Sequence, residues 1–301
     1  MSRVLPFSDE RCLDVGLAGG KGASLARASA MGLPVPPGFV IPANALADAL
    51  ADGGAELRGL AEARDAEGAQ ALIHTVDIDA ALRDAVIASY RALGEGDVPV
   101  AVRSSACAED SEAASFAGQQ ETYLHVRGHE QVRPRVRDCW ASFFSERALF
   151  YRAQKGSLGD LGMAVVVQRM VEADVAGVLF TCDPVRKRRD RMVVEAVFGL
   201  GEAVVSGQVT PDHYVLKRDG RVQRADINQQ PYAIVTVEEG GVRERPLTPE
   251  EGGARKVDDA MLAQLARLGD DLEQCSGVPQ DIEWAIQDGQ LFVLQARPVT
   301  T

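Results

Sequence analysis

At 301 residues, with 46% hydrophobic and 25% charged side chains, the chain has the make-up of a globular protein with room for one large domain or two associated ones. Its formal net charge of −12 argues against nucleic-acid binding, because a phosphate backbone attracts basic surfaces. Five cysteines (Cys12, Cys107, Cys139, Cys182 and Cys275) are scattered, odd in number and free of any CxxC pair, which excludes a disulfide framework and a zinc site and points to the cytoplasm. His74, His125, His129 and His213 have no metal-ligand spacing. No apolar run approaches the ~18 residues of a membrane span, and the N-terminus carries no apolar signal core.

In chain order, "GASLARASAM" predicts a helix from about Gly22, stopped at Gly32. The prolines of "LPVPPGFVIP" predict an extended connector. Asn44 is the expected cap of an Ala/Leu-rich helix that loosens at Gly53-Gly54, and "DAALRDAVIASYRAL" predicts another. "VPVAVRSS" reads as a strand ending in a loop at Arg103-Ser104-Ser105. In "RVRDCWASFFSERALFYRA", Trp140, Phe143, Phe144 and Tyr151 fall at helical spacing and are expected in the core. Valine-rich strands then follow: "GMAVVVQRMV", "AGVLFT" and "RMVVEAVF". "RKRRDR" (Arg186 to Arg191) reads as a solvated loop between strands, or else as a patch for a phosphorylated partner. A hairpin turning at Asp219-Gly220 comes next, then an amphipathic helix with Leu262, Leu265, Leu268 and Leu272 on one stripe. "DIEWAIQDGQLFVLQARPV" closes the chain as an alternating hairpin. A helix-rich first half and a strand-rich second half predict an α+β protein in two lobes, 1–167 and 168–301.

Four segments carry chemistry. "GLAGGKGASL" places Lys21 near a helix start, where unbonded N–H groups favour an anion. The Walker pattern fails, because Val15 stands where its first glycine belongs and Gly22 where its hydroxyl belongs. A phosphate ligand and a solvated lysine both remain open readings of Lys21. "AVRSSACAEDSEAASFAGQQETYL" combines Arg103, hydroxyls, small residues and Gly118, a composition that lets a backbone lie along a phosphate chain. "GLGEAVVSG" fails the dinucleotide fingerprint at Val204. In the last hairpin, Asp281 and Glu283 share one face, while Gln295 and Arg297 alternate with apolar neighbours. Such polar groups are satisfied either by pairing with each other or by Mg²⁺ and a nucleotide.

In this order the segments "GGKGASL", "AVRSSACAED…SFAGQQETYL", "VVVQRMV", "GVLFTCDP", "GLGEAVVSG" and "DIEWAI…LFVLQARP" resemble the ATP-binding N-terminal domain of the phosphoenolpyruvate synthase, pyruvate phosphate dikinase and rifampin phosphotransferase family, from about Gly16 to Pro298. One departure is Ser111-Glu112, where members often have Leu-Pro. The resemblance implies an ATP-grasp-type fold, two lobes with the nucleotide cleft between them. It implies Lys21 and Arg103 on the phosphates as the catalytic basic residues, and Gly118 and Thr122 in the phosphate loop. It further implies Gln168 by the adenine, Glu283 and Gln295 on nucleotide and Mg²⁺, and Arg297 beside them. ATP and Mg²⁺ are the expected cofactors.

Members of this family carry a phosphorylatable histidine in a "GG-x-T-x-H-A" setting and an acceptor domain, and none of the four histidines here has that setting. The expectation is therefore an ATP-dependent phosphotransferase component that passes the ATP β-phosphoryl group to a histidine on a separate protein. A self-sufficient kinase or ATP-grasp ligase, and a non-catalytic nucleotide-binding module, are the competing readings.

Overall fold

The computed structural model describes residues 3–50, 52–107, 121–238 and 240–299. The chain divides into unit 1, Met1–Arg27 with Pro37–Met170, and unit 2, Ala28–Pro36 with Val171–Thr301. Residues 28–36, grouped with the first lobe by a linear division, stand with unit 2. Met31, Leu33 and Val35 pack against its core, and the Pro34 carbonyl accepts from Val293 N at 2.9 Å. The class is α+β, as expected.

Unit 1 runs β1 (Leu5–Pro6), α1 (Val15–Ala30, opening in this unit), β2 (Gly38–Ile41), α2 (Ala45–Ala49), α3 (Ala55–Glu62), α4 (Ala66–Thr75), α5 (Ala80–Arg91), β3 (Val100–Ala106), β4 (Thr122–Val126), α6 (His129–Ser142), α7 (Glu146–Lys155) and β5 (Met163–Arg169). Its sheet has the order β1-β2-β5-β3-β4, with every neighbouring pair antiparallel. Alternation along the strands sends Phe39, Ile41, Val100, Val102, Val165 and Val167 to one face, where they meet Leu57, Ile73, Leu82, Trp140 and Phe144 from the helices. Each such side chain contributes about 1.5–3 kcal/mol by leaving water.

Several local expectations are corrected here. Helix α1 begins at Val15 and is broken at Gly19, although Gly32 does stop it in the left-handed region (φ 74°). Asn44 makes no capping bond; its amide donates to Asp48 Oδ2 at 2.7 Å. Strand β3 continues through Arg103-Ser104-Ser105 to Ala106, because β5 pairs with it at every residue. The long aromatic helix breaks at Phe143–Ser145, where the Ser145 hydroxyl caps α7 by accepting from Ala148 N. Trp140, Phe143 and Phe144 are core, whereas Tyr151 is half-buried.

Unit 2 runs β6 (Val175–Phe180), β7 (Arg191–Phe198), α8 (Glu202–Val205), β8 (Asp212–Lys217), β9 (Val222–Asp226), β10 (Tyr232–Thr236), β11 (Val242–Pro246), α9 (Pro249–Gly253), α10 (Asp259–Ser276), β12 (Gln280–Gln287) and β13 (Gln290–Pro298). Six strands form a sheet in the order β13-β12-β6-β7-β8-β9, and β10 with β11 forms a separate ribbon. The leucine stripe of α10 is buried as expected, against Leu179, Met192, Val194, Ile282 and Trp284 of one sheet face. Trp284 stands opposite Gly177, and a Cβ there would lie 2.7 Å from the indole and 1.9 Å from Glu195 O. Gly220 turns the expected β8–β9 hairpin at φ 83°. The loop of Arg186–Asp190 is exposed, as a solvated connector should be.

A buried ion pair ties β8 to the segment between α9 and α10. The Asp212 and Lys256 side chains are fully buried, with Nζ 2.9 Å from Oδ1. Asp212 also accepts from Tyr214 OH (2.8 Å), Asn228 N (2.9 Å) and Lys256 N (3.1 Å). The remaining Lys256 protons go to Asn228 O (2.7 Å) and Gly252 O (2.9 Å). No helix among the described residues is long and apolar enough to cross a membrane.

Candidate functional site

The unit 1 sheet face turned away from its helical core gathers four of the expected residues. Arg103 on β3 pairs directly with Thr122 on β4 and with Val166 on β5, while Gln168 pairs with Ala101 two residues away along β3. Paired residues share a face, and so do residues two apart, so Arg103, Thr122 and Gln168 project together. Helix α1 lies over this face: at Gly22 a Cβ would meet Val40 Cγ2 at 3.0 Å and Val166 Cγ2 at 3.6 Å. Glycine makes that close approach easy, and the helix carries Lys21 to the strand end. There the ammonium donates to Ser104 O at 2.8 Å.

Lys21, Arg103 and Gln168 are only 8%, 9% and 3% exposed, while Thr122 is exposed. Charge held at such burial requires polar surroundings, and carbonyls of the β3 end provide part of them. Gly118 and the Ser111-Glu112 departure lie outside the described residues.

In unit 2 the terminal hairpin resolves a question of parity. Gln287 pairs with Gln290 across a two-residue turn in which Asp288 (φ 49°) and Gly289 (φ 73°) are both left-handed, the signature of type I′. In an unbroken ladder this turn would set Glu283 opposite Leu294 and turn Gln295 to the other face. The register instead slips between Glu283 and Trp284: Trp284 pairs with Val293, Glu283 with Gln295, and Leu294 is the extra residue of a bulge. Val293 and Gln295, two residues apart, therefore fall on opposite faces. Val293 is fully buried in the helix-side core, whereas Gln295 stands beside Glu283 on the opposite face.

One step along, Asp281 pairs with Arg297, whose Nε and Nη2 each lie 2.8 Å from Oδ2. Burial raises the Asp281 carboxyl above its ordinary range, Arg297 opposes this, and the charges of Glu283 and Glu195 add to it. Glu195 belongs to the same face, since β6 Val178 pairs with both Glu283 and Glu195. Of the two ways to satisfy these groups, Asp281 and Arg297 take mutual pairing. Glu283 and Gln295 are direct cross-strand partners, so a carboxylate and an amide side chain are neighbours on one face. Among the described residues no group of three or more His, Cys, Asp or Glu side chains is arranged to hold a metal.

Sequence reasoning missed Ser104 and Ser105, whose roles depend on a contact between positions more than eighty residues apart. Their only signal was a hydroxyl pair following Arg103. It also missed Glu195, which no local motif marks.

Residues 15–301 match the family of pyruvate phosphate dikinase AMP/ATP-binding domains. The chain is 42% identical to a probable phosphoenolpyruvate synthase of Methanothermobacter thermautotrophicus over 306 residues, covering 96% of this chain and 44% of that protein. It is 38% identical to a rifampicin phosphotransferase of Bacillus cereus, covering 100% of this chain and 36% of that one. The chain therefore spans less than half the length of these relatives. Among solved structures, a D-alanine-D-alanine ligase from Helicobacter pylori aligns over 93% of this chain and 54% of its own, at 10% identity and a TM-score of 0.38.

Proposed function

The chain belongs to the family of pyruvate phosphate dikinase AMP/ATP-binding domains, and we propose that it binds Mg-ATP and activates it for phosphoryl transfer to a histidine outside these 301 residues. Membership carries with it the ATP-grasp-type α+β fold expected from the sequence. The observation that supports the reading best is the convergence of Lys21, Arg103, Thr122 and Gln168 on one face of the unit 1 sheet.

Lys21 brings a compact positive charge and Arg103 a planar fork to the phosphates, and these two are the catalytic pair. Thr122 meets the phosphates, and Gln168 takes the adenine. Glu283 and Gln295 would hold Mg²⁺, which takes hard oxygen ligands, and Arg297 steadies the neighbouring carboxylate of Asp281. Two protein oxygens suit an ion whose other ligands are phosphates and water. When bound, Mg²⁺ supplies charge neutralisation. The protein's own part is positioning and electrostatics, which is most of what phosphoryl transfer demands. The acceptor histidine attacks the β-phosphorus and AMP leaves, so the β- and γ-phosphoryl groups transfer together; water then releases the γ group as inorganic phosphate, and the β-phosphoryl group stays on the histidine. The site works in the cytoplasm, as the scattered and odd-numbered cysteines of the sequence suggest.

Mg-ATP at about 100 times its Kd should stabilise the fold by about 2.7 kcal/mol, a rise of about 5–10 °C in Tm. Lys21→Ala and Arg103→Ala should each reduce that shift without unfolding the protein. An unchanged Tm at millimolar Mg-ATP, or variants that bind like the parent, would refute the reading. AMP formed only when the histidine-bearing domain is added supports β-phosphoryl transfer, whereas ADP made with a small acceptor assigns a direct kinase instead.

A further inference from the structure

We infer that Ser105 is a positioning residue for Lys21, acting as a helix cap delivered from a strand; this rests on the reading of Lys21 as a phosphate ligand. The observation is the break in α1. Gly19 has φ 68° and ψ 172°, a conformation open almost only to glycine, so α1 is two helical segments joined at that residue. In an unbroken helix the Gly22 N–H would donate to Ala18 O, four residues back. Here the Ser105 hydroxyl stands between them. It accepts from Gly22 N at 3.2 Å and donates to Ala18 O at 2.9 Å, so one side chain replaces both halves of the lost bond.

The second segment starts with Gly19 in the cap position and Gly22 as its third residue. A capping side chain normally accepts from the second or third N–H of the helix it opens. Gly19 has no side chain to do so, and none would fit: its Cβ would lie 2.2 Å from Ser105 O and 2.3 Å from Ser105 Oγ. The cap therefore comes from β3, from a residue fully buried at that junction. Lys21 lies inside the capped turn, immediately before Gly22, and its ammonium donates to the carbonyl of Ser104, the neighbour of Ser105. Consecutive residues of β3 thus fix both the backbone and the charged end of Lys21. Cys107 Sγ, 3.5 Å from Gly16 O, adds a contact to the first segment from the same strand end.

A residue that merely supports the fold and one that positions Lys21 are separated by a double-mutant cycle on Mg-ATP affinity, measured by titration calorimetry. Ser105→Ala should weaken binding about five- to tenfold while the ligand-free protein keeps its fold. In a Lys21→Ala background the same change should weaken binding by less than about twofold, because nothing is left to position. Losses that multiply, or a Ser105→Ala variant that binds like the parent, overturn the assignment while leaving the role of Lys21 intact. If Lys21→Ala itself binds like the parent, the reading beneath the inference has failed instead. Should Ser105→Ala not fold, Ser105→Cys, nearly isosteric but a weak donor and acceptor, carries the same cycle.

Discussion

Lys256→Met tests the account of unit 2 most directly. The substitution keeps the length of an unbranched side chain and removes its charge. It leaves Asp212 fully buried with three neutral donors, and it strips Asn228 O and Gly252 O of an ammonium proton each. Breaking one side of a buried pair costs about 3–5 kcal/mol, because the surviving charge stays in a medium that solvates it poorly. Part of the loss is recovered by the thioether filling the same space. At about 2–4 °C per kcal/mol for domains of this size, the midpoint should fall by about 6–20 °C. The chain's tryptophans suit the assay, as Trp140 belongs to unit 1 and Trp284 to unit 2, each buried. In a Trp140→Phe background, urea unfolding followed by fluorescence reports Trp284 alone. Adding Asp212→Asn to Lys256→Met should recover more than about 1 kcal/mol, since the orphaned charge is then gone. A single-variant loss below about 1 kcal/mol, or a double variant no more stable than the single one, would show that the pair does not hold β8 in the way described.

Two further outcomes follow from the sheet of unit 2. Gly177→Ala sets a methyl group 1.9 Å from Glu195 O and 2.7 Å from the Trp284 ring, so it should destabilise by more than about 3 kcal/mol; a urea midpoint within error of the parent would contradict the register. Arg297→Met removes the charge that opposes the burial-driven rise of the Asp281 carboxyl, so that carboxyl should rise further above its ordinary 3.8. The folded state then keeps a proton the unfolded chain has lost, and stability falls as pH rises above about 4, more steeply than in the parent. Denaturant midpoints from about pH 4 to about pH 7 check this, and a parent–variant difference independent of pH would be inconsistent with it.

What the sequence made legible was set by local pattern. The leucine stripe of α10, the valine strands and the Asp288-Gly289 turn announce themselves through period or turn chemistry, and all are where that chemistry puts them. Glu283 and Gln295 could be picked out because polar residues interrupt apolar strands, and Arg103 because hydroxyls and small residues surround it. What stayed hidden depends on partners far along the chain. The glycines of α1 lower helix propensity enough to place its start near Gly22, yet the Ser105 hydroxyl and burial against Val40 and Val166 hold a helix from Val15. Strand β3 outlasts Arg103 because β5 pairs with it to Ala106, and nothing in "RSSA" says so. That the ladder passes over one residue of "LFVLQARP" is legible only once the Asp288-Gly289 turn is set against the expectation that Glu283 and Gln295 share a site, since a two-residue turn then requires a bulge.

That passed-over residue has a consequence for how chains of this type vary in length. Between the turn and the Glu283–Gln295 pair, one arm holds Trp284–Gln287 and the other Gln290–Leu294, longer by a single residue. A relative lacking Leu294 would have equal arms and keep every pair in place. It would lose only a side chain from the patch of Val171, Ala176 and Ala285. Equalising the arms by an insertion into β12 instead would also keep Glu283 opposite Gln295, but it would turn both toward the α10 side, where Trp284 now lies. In an alignment of such chains, then, a one-residue gap at position 294 is silent for the polar face, while a one-residue gain on the facing strand inverts it.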